Sequence, residues 1–223
     1  MKSAIIAAPV ETFPALSGLG FLRHGFVGRV PGLDVRNDRE VALARLEEFH
    51  RAARMQLGMA DMHLVTAQQT HGRDIAVVDE NTASPVPGVD GLITNRPGVA
   101  LGIYVADCGP VFLVDPRRRV IALLHSGKKG TALNIAAAAV KIMRERFGCD
   151  PRDMIAQLGP CIRPPHYDID FAAEILRQCH ASGIQQVVDC CLNTGADLER
   201  FYSYRVEQGK TGRLLALLAL ADG

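Results

Sequence analysis

Three stretches of the chain repeat apolar residues at near-helical spacing, and eight others are short, almost uninterrupted apolar runs. Between Asp38 and Leu57, the positions Val41, Leu43, Leu46, Phe49 and Ala53 outline an amphipathic helix that stops at Gly58. A second helix is predicted from Thr131 to Phe147, its apolar face formed by Leu133, Ile135, Ala139, Ile142 and Met143, with Gly148 as its stop. A third covers Phe171 to Ala181 and is closed by Gly183. Strands are predicted at 63–67, 74–78, 91–94, 99–106, 110–115, 120–125, 154–159 and 213–220. Several of these, such as "PVFLVD" and "VIALLH", are apolar at successive positions, so both faces of the sheet must be covered. That pattern places the chain in the α with β class, helices packed over sheets, with long loops at "SPVPGVDG" (84–91) and "GPCIRPPHYD" (159–168).

Composition changes this picture little and excludes several functions. A chain of 223 residues that is 48% hydrophobic and 22% charged can bury a sizeable core without staples. Lys+Arg of 25 against Asp+Glu of 24 gives no global attraction to nucleic acid or to an anionic membrane, so an anionic ligand has to be held locally. Pro9 and Glu11 interrupt the opening apolar run before it reaches the length of a signal-peptide core or a membrane span, and a cytoplasmic protein is expected. Six cysteines without framework spacing read as reduced thiols.

Candidate chemistry gathers at strand ends. His125 closes "VIALLH" before "SGKKG", His71 follows the strand at 63–67, and Cys108 follows the strand at 99–106. Strand ends that feed loops are where α/β proteins place reactive groups. Two imidazoles and a thiolate suit zinc, leaving a fourth position open for water or substrate. Without metal, the same residues could form a cysteine nucleophile with a histidine base. Their wide separation in sequence matches no compact metal motif, and an isolated histidine at a strand end is commonly structural.

In order along the chain, "QTHG" (69–72), "DGLIT" (90–94), "GVALGIYVADCGPVFLVDP" (98–116), "HSGKKGT" (125–131), "LGPCI" (158–162) and "FYSYR…TGR" (201–213) resemble the motifs of the YfiH-like family, also called laccase-domain or polyphenol oxidase family proteins. The resemblance implies one domain over 1–223, an α+β fold built as a four-layer α-β-β-α sandwich, with a zinc site in which His71, Cys108 and His125 match the family's His, Cys and His. It further implies purine nucleoside phosphorolysis, with adenosine deamination and methylthioadenosine cleavage as companion reactions. The substrates would then be a purine nucleoside and phosphate, taken by a monomer or homodimer. The older family name implies instead a copper-dependent phenol oxidation, although seven scattered histidines are few for a multicopper site. A metal-free cysteine hydrolase or a ligand-binding module is a third alternative.

This chain departs from the family pattern in two places. It has "HSGKKG" where the family usually has "H-A-G-W-R-G", so Lys128 and Lys129 stand in place of an aromatic residue and an arginine. Lysine keeps a point charge for phosphate but loses the bidentate fork and the stacking surface. The stretch after Tyr167 is also shorter than in the family, which could remove a wall of the pocket. Gln69, Lys129 and Arg45 are the candidate substrate contacts: Gln69 in the "QTHG" motif, Lys129 just before the predicted helix, and Arg45 at a position where arginine is common in the family. Asp107 reads as a turn cap or a group that orients Cys108, and Cys161 as a small buried residue. Arg205 and Arg213 belong to a motif that could approach the pocket.

Overall fold

The computed structural model describes residues 8–221. In chain order its elements are β1 (Val10–Glu11), α1 (Pro14–Ser17), β2 (Leu22–Val27), α2 (Arg39–Gln56), β3 (His63–Gln68), β4 (Ile75–Val77), β5 (Val86–Pro87), β6 (Gly91–Thr94), β7 (Val99–Val105), β8 (Gly109–Asp115), β9 (Val120–Ser126), α3 (Lys128–Ala132), α4 (Ile135–Phe147), β10 (Ile155–Leu158), α5 (Phe171–Ala181), β11 (Gln186–Asp189) and β12 (Leu214–Leu220). They build two six-stranded mixed sheets, in the orders β1-β2-β12-β7-β3-β5 and β11-β10-β8-β9-β6-β4.

The sheets pack face to face through β7 and β12 against β9. Phe26, Leu101, Ile103, Phe112, Ile121 and Leu123 meet in the core between them. Helix α2 covers the outer face of the first sheet with Ala42, Leu46 and Ala53, and α4 and α5 cover the second. The result is the expected α-β-β-α layering, and it explains the two-faced apolar runs: every residue of β8, β9 and β12 is buried. At about 25 cal/mol per Å² of apolar surface removed from water, such strands are the main source of stability.

The predicted strands all form, with ends shifted by a residue or so, and "SPVPGVDG" contains the two-residue β5. Strands β2 and β11 had no clear pattern. "LRHGFV" mixes polar and apolar residues, and "QVVD" is an edge strand paired in parallel with β10 on one side.

Two helix expectations are corrected. The inward face of α2 is Ala42, Leu46, His50 and Ala53, whereas Val41 is 41% exposed; the chosen apolar set is rotated off the true stripe because small Ala42 and polar His50 are the ones that fit against the sheet. The helix predicted from Thr131 is two helices. α3 ends at Ala132, Leu133 is exposed, and Asn134 takes a left-handed conformation (φ 56°) from which its side chain accepts the Ala137 amide at 3.1 Å. Asn is among the few non-glycine residues that tolerate this geometry, and it is a preferred N-cap. Among the described residues no helix is long and apolar enough to cross a membrane.

Candidate metal centre and active site

His71, Cys108 and His125 converge at one end of the sandwich, with one ligand atom from each within 4.8 Å of the others. Each comes from a different structural setting. His71 lies three residues beyond β3 in a left-handed turn (φ 61°), Cys108 occupies the tight connection between β7 and β8, and His125 is the penultimate residue of β9, paired with Pro110. The two imidazoles meet edge to face, with ring centroids 4.8 Å apart. His125 is buried, Cys108 half-buried and His71 exposed, so the group opens to solvent on the His71 side. Gly127 provides the room: a Cβ there would run into Cys108 Sγ.

Asp90, fully buried at the start of "DGLIT", holds both histidines. Its Oδ1 accepts from His125 Nδ1 at 2.7 Å and from the His71 amide at 2.9 Å. Its Oδ2 accepts from the Thr70 amide and hydroxyl, both at 3.1 Å, and from the Gly72 amide at 2.7 Å, while its carbonyl accepts the His125 amide at 2.7 Å. One carboxylate therefore fixes the turn that carries His71 and the tautomer of His125, leaving His125 Nε2 for Cys108 or a metal. Burial alone would raise the Asp90 carboxyl; the His125 hydrogen bond and the Gly72 and Thr70 amides outweigh it and hold the group below the ordinary carboxylate range. Burial opposes charge on the Cys108 thiol as well, but His125 and His71 pull it down to about 6. His125 in turn is raised, against the effect of its burial, by the Cys108 and Asp90 charges. A readily ionised thiol with two imidazoles, which bind a metal in their neutral form, is the donor set that a borderline-soft ion requires, and three protein ligands leave a fourth position open. The residues fit zinc, and their chemistry also tolerates copper.

Asp90 opens the "DGLIT" motif, but no pattern of the sequence assigns it a role. A carboxylate directly before a strand of four buried residues was the available signal, since such a group needs partners.

The other candidate residues are placed as follows. Gln69 donates from Nε2 to the Tyr104 carbonyl at 2.7 Å, joining the His71 turn to β7, and its buried Oε1 has no partner among the described residues. Lys128 and Lys129 are exposed in the first turn of α3, inside the short helix instead of before it, just past Gly127. Arg45 stays out of the group: its guanidinium donates to the Asp34 carbonyl at 2.7 Å and pairs with the Asp34 carboxylate at 3.2 Å. Asp107 (φ 89°) caps the connection, accepting Thr194 Oγ1 and the Arg205 amide, each at 2.7 Å. Cys161 is buried beside Asn193 with its thiol pushed well up by burial, consistent with a packing role.

Comparison with known proteins follows the same lines. The chain is 37% identical over 154 residues to the Streptomyces coelicolor protein named purine nucleoside phosphorylase SCO2081, a match spanning 68% of this chain and 58% of that one. It is 30% identical over 196 residues to purine nucleoside phosphorylase YlmD of Geobacillus stearothermophilus, over 69% of this chain and 71% of that one. Adenosine deaminase RL5, from an unknown prokaryotic organism, is 34% identical over 135 residues, 56% of this chain and 51% of that one. The chain thus spans little more than half the length of some of the curated relatives it matches. Among solved structures, Bacillus licheniformis YfiH superposes with a TM-score of 0.77 at 25% identity over 89% of this chain and 92% of that one. YlmD from Geobacillus stearothermophilus superposes with a TM-score of 0.81 at 24% identity over 96% and 100%, which shows the shared fold. A sequence profile described as multi-copper polyphenol oxidoreductase laccase matches residues 31–174 and 166–221, nearly all of the chain beyond its first thirty residues, and the chain belongs to that laccase-like YfiH family.

Proposed function

We propose that this protein is a cytoplasmic zinc-dependent purine nucleoside phosphorylase that also deaminates adenosine and cleaves methylthioadenosine, with His71, Cys108 and His125 as the metal ligands. The observation that carries the reading is the convergence of those three side chains within 4.8 Å around an outward-facing position, with Asp90 clamping both histidines. The names of the relatives support the substrate class.

When bound, zinc supplies a Lewis acid and brings the pKa of a coordinated water from about 15.7 toward about 7. The chain's own groups do the rest. Asp90 keeps the proton of His125 on Nδ1, so Nε2 stays a donor of electrons. Lys129 offers a positive charge to phosphate, and Gln69 ties the turn that carries His71 to the Tyr104 carbonyl. In phosphorolysis, a phosphate oxygen bonds to the ribose C1′ as the bond to the purine nitrogen breaks; the purine keeps the electron pair and takes a proton, giving ribose 1-phosphate and free base. In deamination, water replaces the amino group at C6 and ammonia leaves.

Metal-loaded protein incubated with adenosine and phosphate is expected to release adenine, inosine or hypoxanthine. Absence of all three would remove this function. Two other readings have a specific observation behind them. The continuous Asp90–His125–Cys108 line favours a thiolate nucleophile in metal-free protein, and alkylation of Cys108 that zinc fails to block would support it. The family's description favours copper and phenol oxidation, which copper copurifying in place of zinc would support.

A further inference from the structure

The "FYSYR…TGR" motif is not used by the proposed chemistry, yet it forms a strap pressed against the site. Its anchors are buried and fully engaged. The Tyr202 hydroxyl accepts the Val30 amide at 3.1 Å, with the Arg29 guanidinium 4.4 Å over its ring. Glu207 accepts the Ser203 amide at 3.0 Å and pairs with Arg29 at 2.7 Å, and a Cβ at Gly212 would strike the Tyr202 ring. The strap meets the metal-ligand group through Asp107, whose carboxylate takes the Arg205 amide at 2.7 Å one residue before Cys108. Tyr204 is the residue directly before this contact.

Two features of this locked strap lack an internal purpose. Tyr204 is 55% exposed although its carbonyl is tied to the Gly209 amide at 2.8 Å and Gly209 backs its ring, so a rigid loop holds an aromatic ring toward solvent. Arg213, beneath that ring at 5.9 Å, is half-buried and donates from one terminal nitrogen to the carbonyls of Thr211 and Gly212, both at 2.9 Å. It enters no ion pair among the described residues. Asp107, whose charge acts on it, has both carboxylate oxygens engaged by Thr194 and Arg205, and Arg39 adds a second positive charge nearby. A half-buried guanidinium that enters no ion pair has its remaining N–H groups available to an anion.

We propose that Arg213 and Tyr204 form the recognition edge of this site, Arg213 holding an inorganic oxyanion and Tyr204 stacking on a heteroaromatic base, with Asp107 as the positioning residue that sets both against Cys108. This rests on the nucleoside-and-phosphate reading and names the residues that would select those two substrates. Stacking tolerates any base, because every base has a π-face, and an arginine fork matches the oxygens of phosphate.

Calorimetric titration of the full chain with inorganic phosphate and, separately, with adenosine tests it without requiring turnover. Arg213→Met should weaken phosphate binding by about tenfold or more and leave adenosine binding unchanged, with Arg213→Lys recovering part of the loss. Tyr204→Ala should weaken adenosine binding by about tenfold and spare phosphate, with Tyr204→Phe close to wild type. Asp107→Asn should weaken both ligands. Binding of both ligands within about twofold of wild type in Arg213→Met and Tyr204→Ala overturns the proposal, as does a wild type that binds neither, or equal losses in Tyr204→Phe and Tyr204→Ala. Product formation by the wild type is measured alongside. The expected binding pattern without product keeps the recognition pair and retires phosphorolysis, whereas product with unaltered variant binding does the reverse.

Discussion

Asp90→Asn isolates the claim that one carboxylate organises the whole centre. The substitution keeps the shape of the side chain and removes one acceptor oxygen together with the charge. If the amide nitrogen takes the place of Oδ2, the Thr70 and Gly72 amides lose their acceptor; if it takes the place of Oδ1, the His71 amide and His125 Nδ1 lose theirs. Either way two donors face an N–H, at about 1–3 kcal/mol for each donor left unsatisfied. Thr70 and His71 are exposed, so water recovers part of this, and a net loss of about 2–4 kcal/mol is expected. That is a large fraction of a typical domain stability of about 5–15 kcal/mol. Freed from its carboxylate, His125 becomes a less basic and less fixed ligand, and zinc affinity should fall by about 10- to 100-fold. Urea unfolding in the presence of a chelator reads the first effect, and competitive zinc titration of folded protein reads the second. A stability change under about 0.5 kcal/mol with zinc affinity unaltered would refute the clamp.

Cys108→Ser should abolish detectable zinc binding while changing the urea-unfolding stability of metal-free protein by no more than about 1 kcal/mol, because the substitution is nearly isosteric at a partly exposed position. Burial pushes the His50 imidazole down to about 4, against a counteracting nearby Arg213 carbonyl, while the unfolded chain titrates near 6.5. Between those values the unfolded state binds the extra proton, so stability should fall as pH drops from about 6.5 to about 4, by up to about 3 kcal/mol, and His50→Phe should flatten that slope in urea denaturation across the range. Asn134→Ala loses the α4 cap and puts alanine into the left-handed region, each costing about 1 kcal/mol, whereas Asn134→Gly loses much less; thermal unfolding that ranks the two the other way would contradict the assigned break between α3 and α4.

The apolar pattern alone sets the two-sided burial of the sheets and the approximate place of the long strands. Runs such as "PVFLVD" and "LLALLAL" can satisfy their apolar side chains only between layers, whatever the order of the strands. The sequence also carried the family motifs and, through the identity of their donor atoms, the three residues able to hold a metal. Tertiary structure decided the rest, because the deciding energies are non-local. Whether Ala42 and His50 or Val41 faces the sheet depends on which side chains fit the opposing surface, and near-helical periodicity cannot separate neighbouring stripes. The break at Asn134 lies between α3, whose N-cap Gly127 is against Cys108 and His71, and α4, which packs on the second sheet, and no local pattern marks where the one helix gives way to the other. The three candidate ligands met only when β3, β7, β8 and β9 brought their ends together, and Asp90, silent in sequence, became the clamp on both histidines because burying a carboxylate forces it to collect the donors within reach.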